Sequence, residues 1–201
     1  EVKDLCKTYN TFSLKHVNIQ VPKGSIVGFI GENGAGKTTT IKAIIGAIKR
    51  EQGEIRLFGQ SIDTNSVKIK QDIGVVMEGS FFYDNFTPKQ IARVLSGVYV
   101  DWDQTIFDAY LAKFKLPATK KIKEFSKGMC MKLSLSIALS HGAKLLILDE
   151  PTSGLDPVVR NEMLEEFLGF IQDEEHGILL SSHITTDLEK IADYITFIHN
   201  G

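Results

Sequence analysis

Residues 31–38 read GENGAGKT, three glycines among mostly polar residues, ending in Lys37 and Thr38. They match the pattern G-x-x-x-x-G-K-[ST] and lie between an apolar run and a helical pattern, the setting in which such a loop holds phosphate. Glycines let the backbone curl around an anion with its N–H groups turned inward, where a Cβ would clash. A helix opening near Lys37 brings partial positive charge to the same spot. The loop therefore predicts nucleotide binding, with Lys37 reaching the β and γ phosphates and the Thr38 hydroxyl ligating Mg²⁺.

The stretch KLLILDEPTSGLDP at 144–157 supplies a second group of reactive side chains. Its apolar residues read as a buried strand that delivers Asp149 to its end, where a carboxylate can hold Mg²⁺ directly or through water. Glu150 comes next, placed to polarise a water for attack on a γ-phosphate, and is the candidate general base. The segment LLSSHI puts His183 just past another apolar run. Ligands collect at the carboxyl ends of strands in open α/β sheets, so His183 is expected on the same edge, touching the γ-phosphate or the attacking water. His16, His141, His176 and His199 have no such address and read as turn residues.

These side chains need a scaffold. Residues 25–30, 74–77, 145–148, 178–180 and 194–198 are short apolar runs, the later ones separated by helical patterns, which predicts an α/β fold with a mostly parallel sheet. Val17, Ile19 and Val21 alternate ahead of a PKG turn, and GEIRLFG at 53–59 is another strand signal, so a small antiparallel layer is expected beside the main sheet. Phe107, Tyr110, Leu111 and Phe114 share one helical face, as do Leu164, Phe167, Leu168 and Ile171, and both stripes read as core. Thr87 and Pro88 look like the cap and first position of a helix carrying Ile91, Val94 and Leu95. The predicted organisation is one domain over residues 1–201, with a helical segment at about 85–142 inserted between two strands.

Composition narrows the class. With 201 residues, 43% of them hydrophobic, the chain can bury one sizeable core. A net charge of -2 gives no overall electrostatic reason to bind nucleic acid. The apolar runs fall far short of the ~20 residues that a membrane span needs. Cys6 and Cys130 lie far apart without metal-ligand spacing and read as small apolar side chains in a reducing, intracellular compartment. The chain does not start with Met and stops at Gly201 after a strand-like run, so it is expected to be part of a longer product.

Taken in order, the P-loop, Asp149 and Glu150, the SGLD at 153–156 and His183 resemble the ATP-binding cassette (ABC) ATPases, the nucleotide-binding domains of ABC transporters, over nearly the whole chain. The resemblance implies a P-loop NTPase core with a small antiparallel β subdomain and an inserted helical subdomain, binding and hydrolysing ATP with Mg²⁺. Gly31, Glu32, Asn33, Gly34, Ala35, Gly36, Lys37, Thr38 and Thr39 would contact the nucleotide. It also marks FSKGM at 125–129 as the counterpart of the LSGGQ signature, matching at Ser126 and Gly128 and departing at Phe125, Lys127 and Met129. Ser126 can cap the following helix and Gly128 keeps its start open, a second anion-binding helix start that in the family grips the γ-phosphate held by another subunit. Tyr9 looks like the family's aromatic residue that stacks on adenine, the alternative being a strand-end tyrosine packed on the core. The family's glutamine position after IGVVM holds Glu78, which can still ligate Mg²⁺ but adds negative charge near the triphosphate and loses the amide donor.

The variant signature resembles ATPases of bacterial ABC-2-type exporters, some of which move drugs or amphipathic peptides. The resemblance implies a second ABC ATPase subunit, identical or different, a transmembrane permease subunit, no nucleic acid, and a place at the cytoplasmic face of the membrane. Phe81, Phe82, Tyr83 and Phe86 follow Glu78 closely and form either a dock for the membrane subunit or local core. A soluble ABC-family ATPase with a regulatory or assembly role would use the same residues. A P-loop kinase or GTPase would leave FSKGM and His183 without a use, and no NKxD-like guanine reader occurs.

Overall fold

The computed structural model describes residues 1–77, 79 and 82–201. Glu78, expected as a metal ligand, and Phe81, of the aromatic run, lie outside the described residues. In chain order the elements are β1 (Val2–Tyr9), β2 (Phe12–Ile19), β3 (Ser25–Ile30), α1 (Lys37–Ile44), β4 (Gln52–Leu57), β5 (Gln60–Ser61), α2 (Ile62–Gln71) and β6 (Ile73–Val76). Then come α3 (Pro88–Leu95), α4 (Gln104–Lys113), a 3₁₀ turn at Ile122–Glu124, α5 (Lys127–Leu139), β7 (Leu145–Asp149), α6 (Pro157–Phe170), β8 (Gly177–Ser182), α7 (Thr185–Ile191) and β9 (Tyr194–Phe197).

Two sheets result, an antiparallel one in the order β2-β1-β4-β5 and a parallel one in the order β6-β7-β8-β3-β9. The central strands β3, β7 and β8 are buried on both faces, which is why they read as unbroken apolar runs rather than as alternating ones. Successive side chains on a strand point to opposite faces. Ile26, Leu146, Leu148, Ile178 and Leu180 accordingly pack with α3 to α7 in one core, while Val27, Phe29, Ile147 and Leu179 pack with α1, α2 and the antiparallel sheet in another. Each such side chain, fully buried, contributes about 1.5–3 kcal/mol.

Register levels the strand ends. Ile30 pairs with Ser182 and Asp149 pairs with Ser181, so Gly31, Glu150 and His183 all leave the sheet along one edge. The expected helix start at Thr87 is a complete capping box, in which the Thr87 hydroxyl accepts from Gln90 N at 3.3 Å and the Gln90 side chain accepts from Thr87 N at 2.9 Å.

Several local features differ from the sequence expectation. No periodicity announced β1, because only Val2 and Leu5 are buried in it and its ladder with β2 shifts register between Val2 and Leu5 and again between Leu5 and Lys7. The buried residues of β2 are Leu14 and Ile19, and Val21 lies beyond its end. On α6 the buried stripe runs through Met163, Leu164 and Phe167, leaving Leu168 40% exposed; Glu166 takes an inward place instead, neutralised by Lys113 of α4. Val94 is likewise exposed on α3. His141 sits in a turn as expected but is buried, its ring stacked on Tyr99 at 3.9 Å and its Nδ1 donating to the Gln71 carbonyl at 3.1 Å.

Candidate functional site

The turn from β3 into α1 is a cradle built around glycine. Gly36, the helix N-cap, has φ 115°, a left-handed conformation that disfavours any residue with a Cβ. A Cβ there would also stand 2.6 Å from Leu14 Cδ2 and 2.8 Å from Phe12 Cζ. At Gly31 the constraint is proximity, since a Cβ would meet the Ile198 carbonyl oxygen at 2.7 Å. Gly36 offers α1 no side-chain cap, and the first helical turn holds no acidic residue. The first N–H groups of a helix lack intrahelical partners, so this start suits an anion.

Lys37 is buried at the mouth of the helix. Its ammonium donates to the carbonyls of Gly31 at 2.6 Å and Glu32 at 3.2 Å, and lies 3.2 Å from Glu150 Oε1. That last contact is an ion pair without hydrogen-bond alignment, and Glu150 Oε1 is buried with no hydrogen-bond partner among the described residues. The other oxygen, Oε2, accepts from His183 Nδ1 at 2.7 Å. Glu150 holds a positive φ of 51°, fixed by its N–H donating to the Ser181 carbonyl at 3.1 Å and to the Ser181 hydroxyl at 3.2 Å. One residue earlier, Asp149 accepts from the Thr38 hydroxyl at 2.7 Å and, on its other oxygen, from the Ser181 hydroxyl at 2.6 Å.

Two carboxylates thus stand at this edge, Glu150 paired with Lys37 and Asp149 bonded to Thr38. A polyanion entering this edge needs a divalent cation to offset the repulsion. Thr38 and Asp149, already in contact, offer the hard oxygen donors that Mg²⁺ prefers. Among the described residues no cluster of three or more His, Cys, Asp and Glu could hold a metal unaided. The residues present fit Mg²⁺ bound together with a nucleotide.

Between the P-loop and Glu150 lies a cleft of about 160 Å³, lined by Phe12, residues 32–34 and 36–39, and Glu150. Phe12 escaped the sequence reading, its one signal being its place across the hairpin from Tyr9. Tyr9, expected against adenine, does not line this cleft; it is 44% exposed, with the Lys7 ammonium 5.5 Å from its ring centroid. Ala35 is buried beneath the loop, and Gly31 shares a recess on the other side with His183 and Ile198.

Ser126 caps α5, its hydroxyl accepting from Met129 N at 3.2 Å. None of Ser126, Lys127 and Gly128 lines the P-loop cleft. A Cβ on Gly128 would approach nothing closer than Val159 Cγ1 at 3.4 Å, so internal packing does not demand glycine there. In the aromatic run Phe82 and Phe86 pack on the core, whereas Tyr83 is 75% exposed with its ring 5.4 Å from that of Phe86.

A family model described as ABC transporter matches residues 14–153. A second, described as AAA domain, putative AbiEii toxin, Type IV TA system, matches the shorter stretch 121–186. The chain is 38% identical over 201 residues to Bacitracin transport ATP-binding protein BcrA of Bacillus licheniformis, covering 98% of this chain and 66% of that protein. It is 35% identical over 204 residues to Lantibiotic transport ATP-binding protein SrtF of Streptococcus pyogenes, covering 100% of this chain and 87% of that one. The chain therefore spans just under two thirds of the length of the bacitracin relative. Among solved structures it is similar to an ATP binding subunit of an ABC transporter, with TM-score 0.89, 31% identity, and coverage of 100% of this chain and 85% of that one. No helix among the described residues is long and apolar enough to cross a membrane.

Proposed function

Because the chain belongs to the ABC transporter family as its ATP-binding domain, we propose that it hydrolyses ATP to drive a membrane partner that exports an amphipathic peptide or drug. In this reading residues 1–201 work as one ATPase domain, the helical segment at about 85–142 being its moving part. The observation that carries the proposal is Glu150: one carboxylate oxygen is tied to His183 and the other is buried beside Lys37 without a hydrogen bond.

The N–H groups of the P-loop and the start of α1 bind the phosphates of ATP, and Lys37 exchanges its Gly31 and Glu32 carbonyls for phosphate oxygens. Thr38 and Asp149, with Glu78 as a further candidate ligand, would hold Mg²⁺, which offsets the phosphate charge when bound. Glu150 Oε1 then accepts the proton of a water attacking the γ-phosphorus, and the bond between that phosphorus and the β–γ bridging oxygen breaks to leave ADP and phosphate. His183 keeps Glu150 oriented and stands where the γ-phosphate is present or absent. Tyr9 and Phe12 are the aromatic candidates for the adenine face.

Ser126 and Gly128 form the second half of the site, gripping the γ-phosphate held by another ATPase subunit. Shifting such a pair from 1:99 to 99:1 closed takes about 5.5 kcal/mol of preferential binding, and the charge-assisted hydrogen bonds at two nucleotides, about 1.5–3 kcal/mol each, are sufficient. The permease would place the complex at the cytoplasmic face of the membrane. Names of relatives that refer to bacitracin and lantibiotic transport support a peptide cargo. The test is ATP turnover by the full-length protein and its Glu150→Gln variant. Turnover should fall by about 10²–10⁴-fold with nucleotide affinity retained; a variant that hydrolyses at nearly the wild-type rate removes Glu150 from the role of base.

A further inference from the structure

A second polar network lies just behind the site and involves residues given no role above. Asp187, in the first turn of α7, is 1% exposed, and so is Thr152, in the loop that follows Glu150. The Thr152 hydroxyl donates to Asp187 Oδ2 at 2.7 Å. Arg160 of α6 brings its Nε to 3.8 Å from the same oxygen, longer than a hydrogen bond, and that Nε is buried with no hydrogen-bond partner among the described residues. Removing a carboxylate from water is costly unless partners compensate. What the arrangement gains in return is visible in which loops it joins.

The loop carrying Thr152 starts at Glu150, and the helix carrying Asp187 starts directly after His183 and Ile184. Across this gap run two lateral ties of equal length, His183 Nδ1 to Glu150 Oε2 at 2.7 Å and Thr152 to Asp187 at 2.7 Å. The first tie belongs to the reacting groups and must give way or realign when phosphate and water arrive. The second is buried, and neither Thr152 nor Asp187 lines the P-loop cleft. Glu150 also holds a backbone conformation that non-glycine residues keep only where surrounding contacts enforce it.

We propose that Asp187 is a positioning residue: through Thr152, with Arg160 as counter-charge, it holds the Glu150 loop against the His183 loop so that the two reacting side chains stay in register. The inference rests on the ATPase reading of Glu150 given above. A small displacement of a general base is enough to lower turnover without touching binding. The tie thus belongs to kcat and not to nucleotide affinity.

The test compares full-length wild type with Thr152→Val, Thr152→Ser, Asp187→Asn and the double variant Thr152→Val/Asp187→Asn. Thr152→Val removes the donor at nearly constant volume and should lower kcat about tenfold, with nucleotide Kd within about twofold of wild type. Thr152→Ser restores the donor and should recover turnover, and the double variant should be no slower than the slower single one, because both cut the same bond. A Thr152→Val protein with wild-type kcat, or a kcat loss matched by equal losses in nucleotide affinity and thermal midpoint, overturns the proposal. Should Thr152→Val not fold, the ratio of Asp187→Asn to Thr152→Ser turnover decides in the same way. The ATPase reading is checked separately by Glu150→Gln. If that reading fails, the Nδ1 chemical shift of His183 in ¹⁵N-labelled protein still judges the tie: a change in Thr152→Val or Asp187→Asn supports the inference, and an unchanged shift in both refutes it.

Discussion

Two helix starts in this chain have the features of an anion site, and they are built in opposite ways. At α1 the cap is a glycine crowded by Leu14 and Phe12, Lys37 is buried with three partners, and Asp149, Glu150 and His183 converge from neighbouring strand ends. At α5 the cap is Ser126, Gly128 has an uncrowded Cβ position, and neither lines the P-loop cleft. The first start is finished by its own chain. The second has a glycine that internal packing does not demand, which fits the proposed half-site for a phosphate held by another subunit.

The largest expected effect lies at the α1 start. Lys37→Ala should weaken ATP binding at least about 100-fold by calorimetry, since it removes charge-assisted hydrogen bonds of about 1.5–3 kcal/mol each at the complete site. The next is a matched pair of methyl additions. Gly36→Ala forces a strained φ and contacts of 2.6 and 2.8 Å, so it should lower the thermal midpoint by several degrees and weaken nucleotide binding less than Lys37→Ala does. Gly128→Ala meets only the 3.4 Å contact with Val159 and should leave both quantities nearly unchanged while reducing turnover. Equal losses of thermal midpoint in the two variants would erase the comparison. A smaller effect belongs to Tyr83, the exposed member of the aromatic run: Tyr83→Ala should weaken co-purification of the membrane subunit without changing the thermal midpoint.

The smallest effect lies away from both starts. Burial lowers the pKa of His141, although its bond to the Gln71 carbonyl opposes this. The unfolded chain then takes up the proton more readily than the fold does, so stability is full above about pH 6.5 and declines as pH falls from there toward the lowered folded value. Urea titrations at pH 7.5 and 5.5 should show this decline, and His141→Gln should reduce the difference.

Legibility in the sequence followed how local the physics was. The P-loop could be read because its turn, glycines and Lys37 lie within one short segment, and Asp149 and His183 because each ends an apolar strand. Their common edge depended on register, which the five parallel strands satisfy. The bulged strand β1 and the helix α2, kinked at Asn65, carry no clean period and were not anticipated. Phe12 reaches the cleft only because a hairpin folds it there, and the inward place of Glu166 depends on a lysine from another helix. The bond from Thr152 to Asp187 was hidden for the same reason: an aspartate in a helical pattern looks solvated until a distant loop covers it.

The most direct test of the half-site account is the mass in solution of the full-length Glu150→Gln protein with saturating ATP and Mg²⁺. The account predicts that the mass doubles with ATP, returns to that of one copy with ADP, and fails to double when Gly128 is replaced by a bulkier residue. A protein that stays a single copy with ATP and Mg²⁺ at saturation, or one that pairs equally well with ADP, contradicts it.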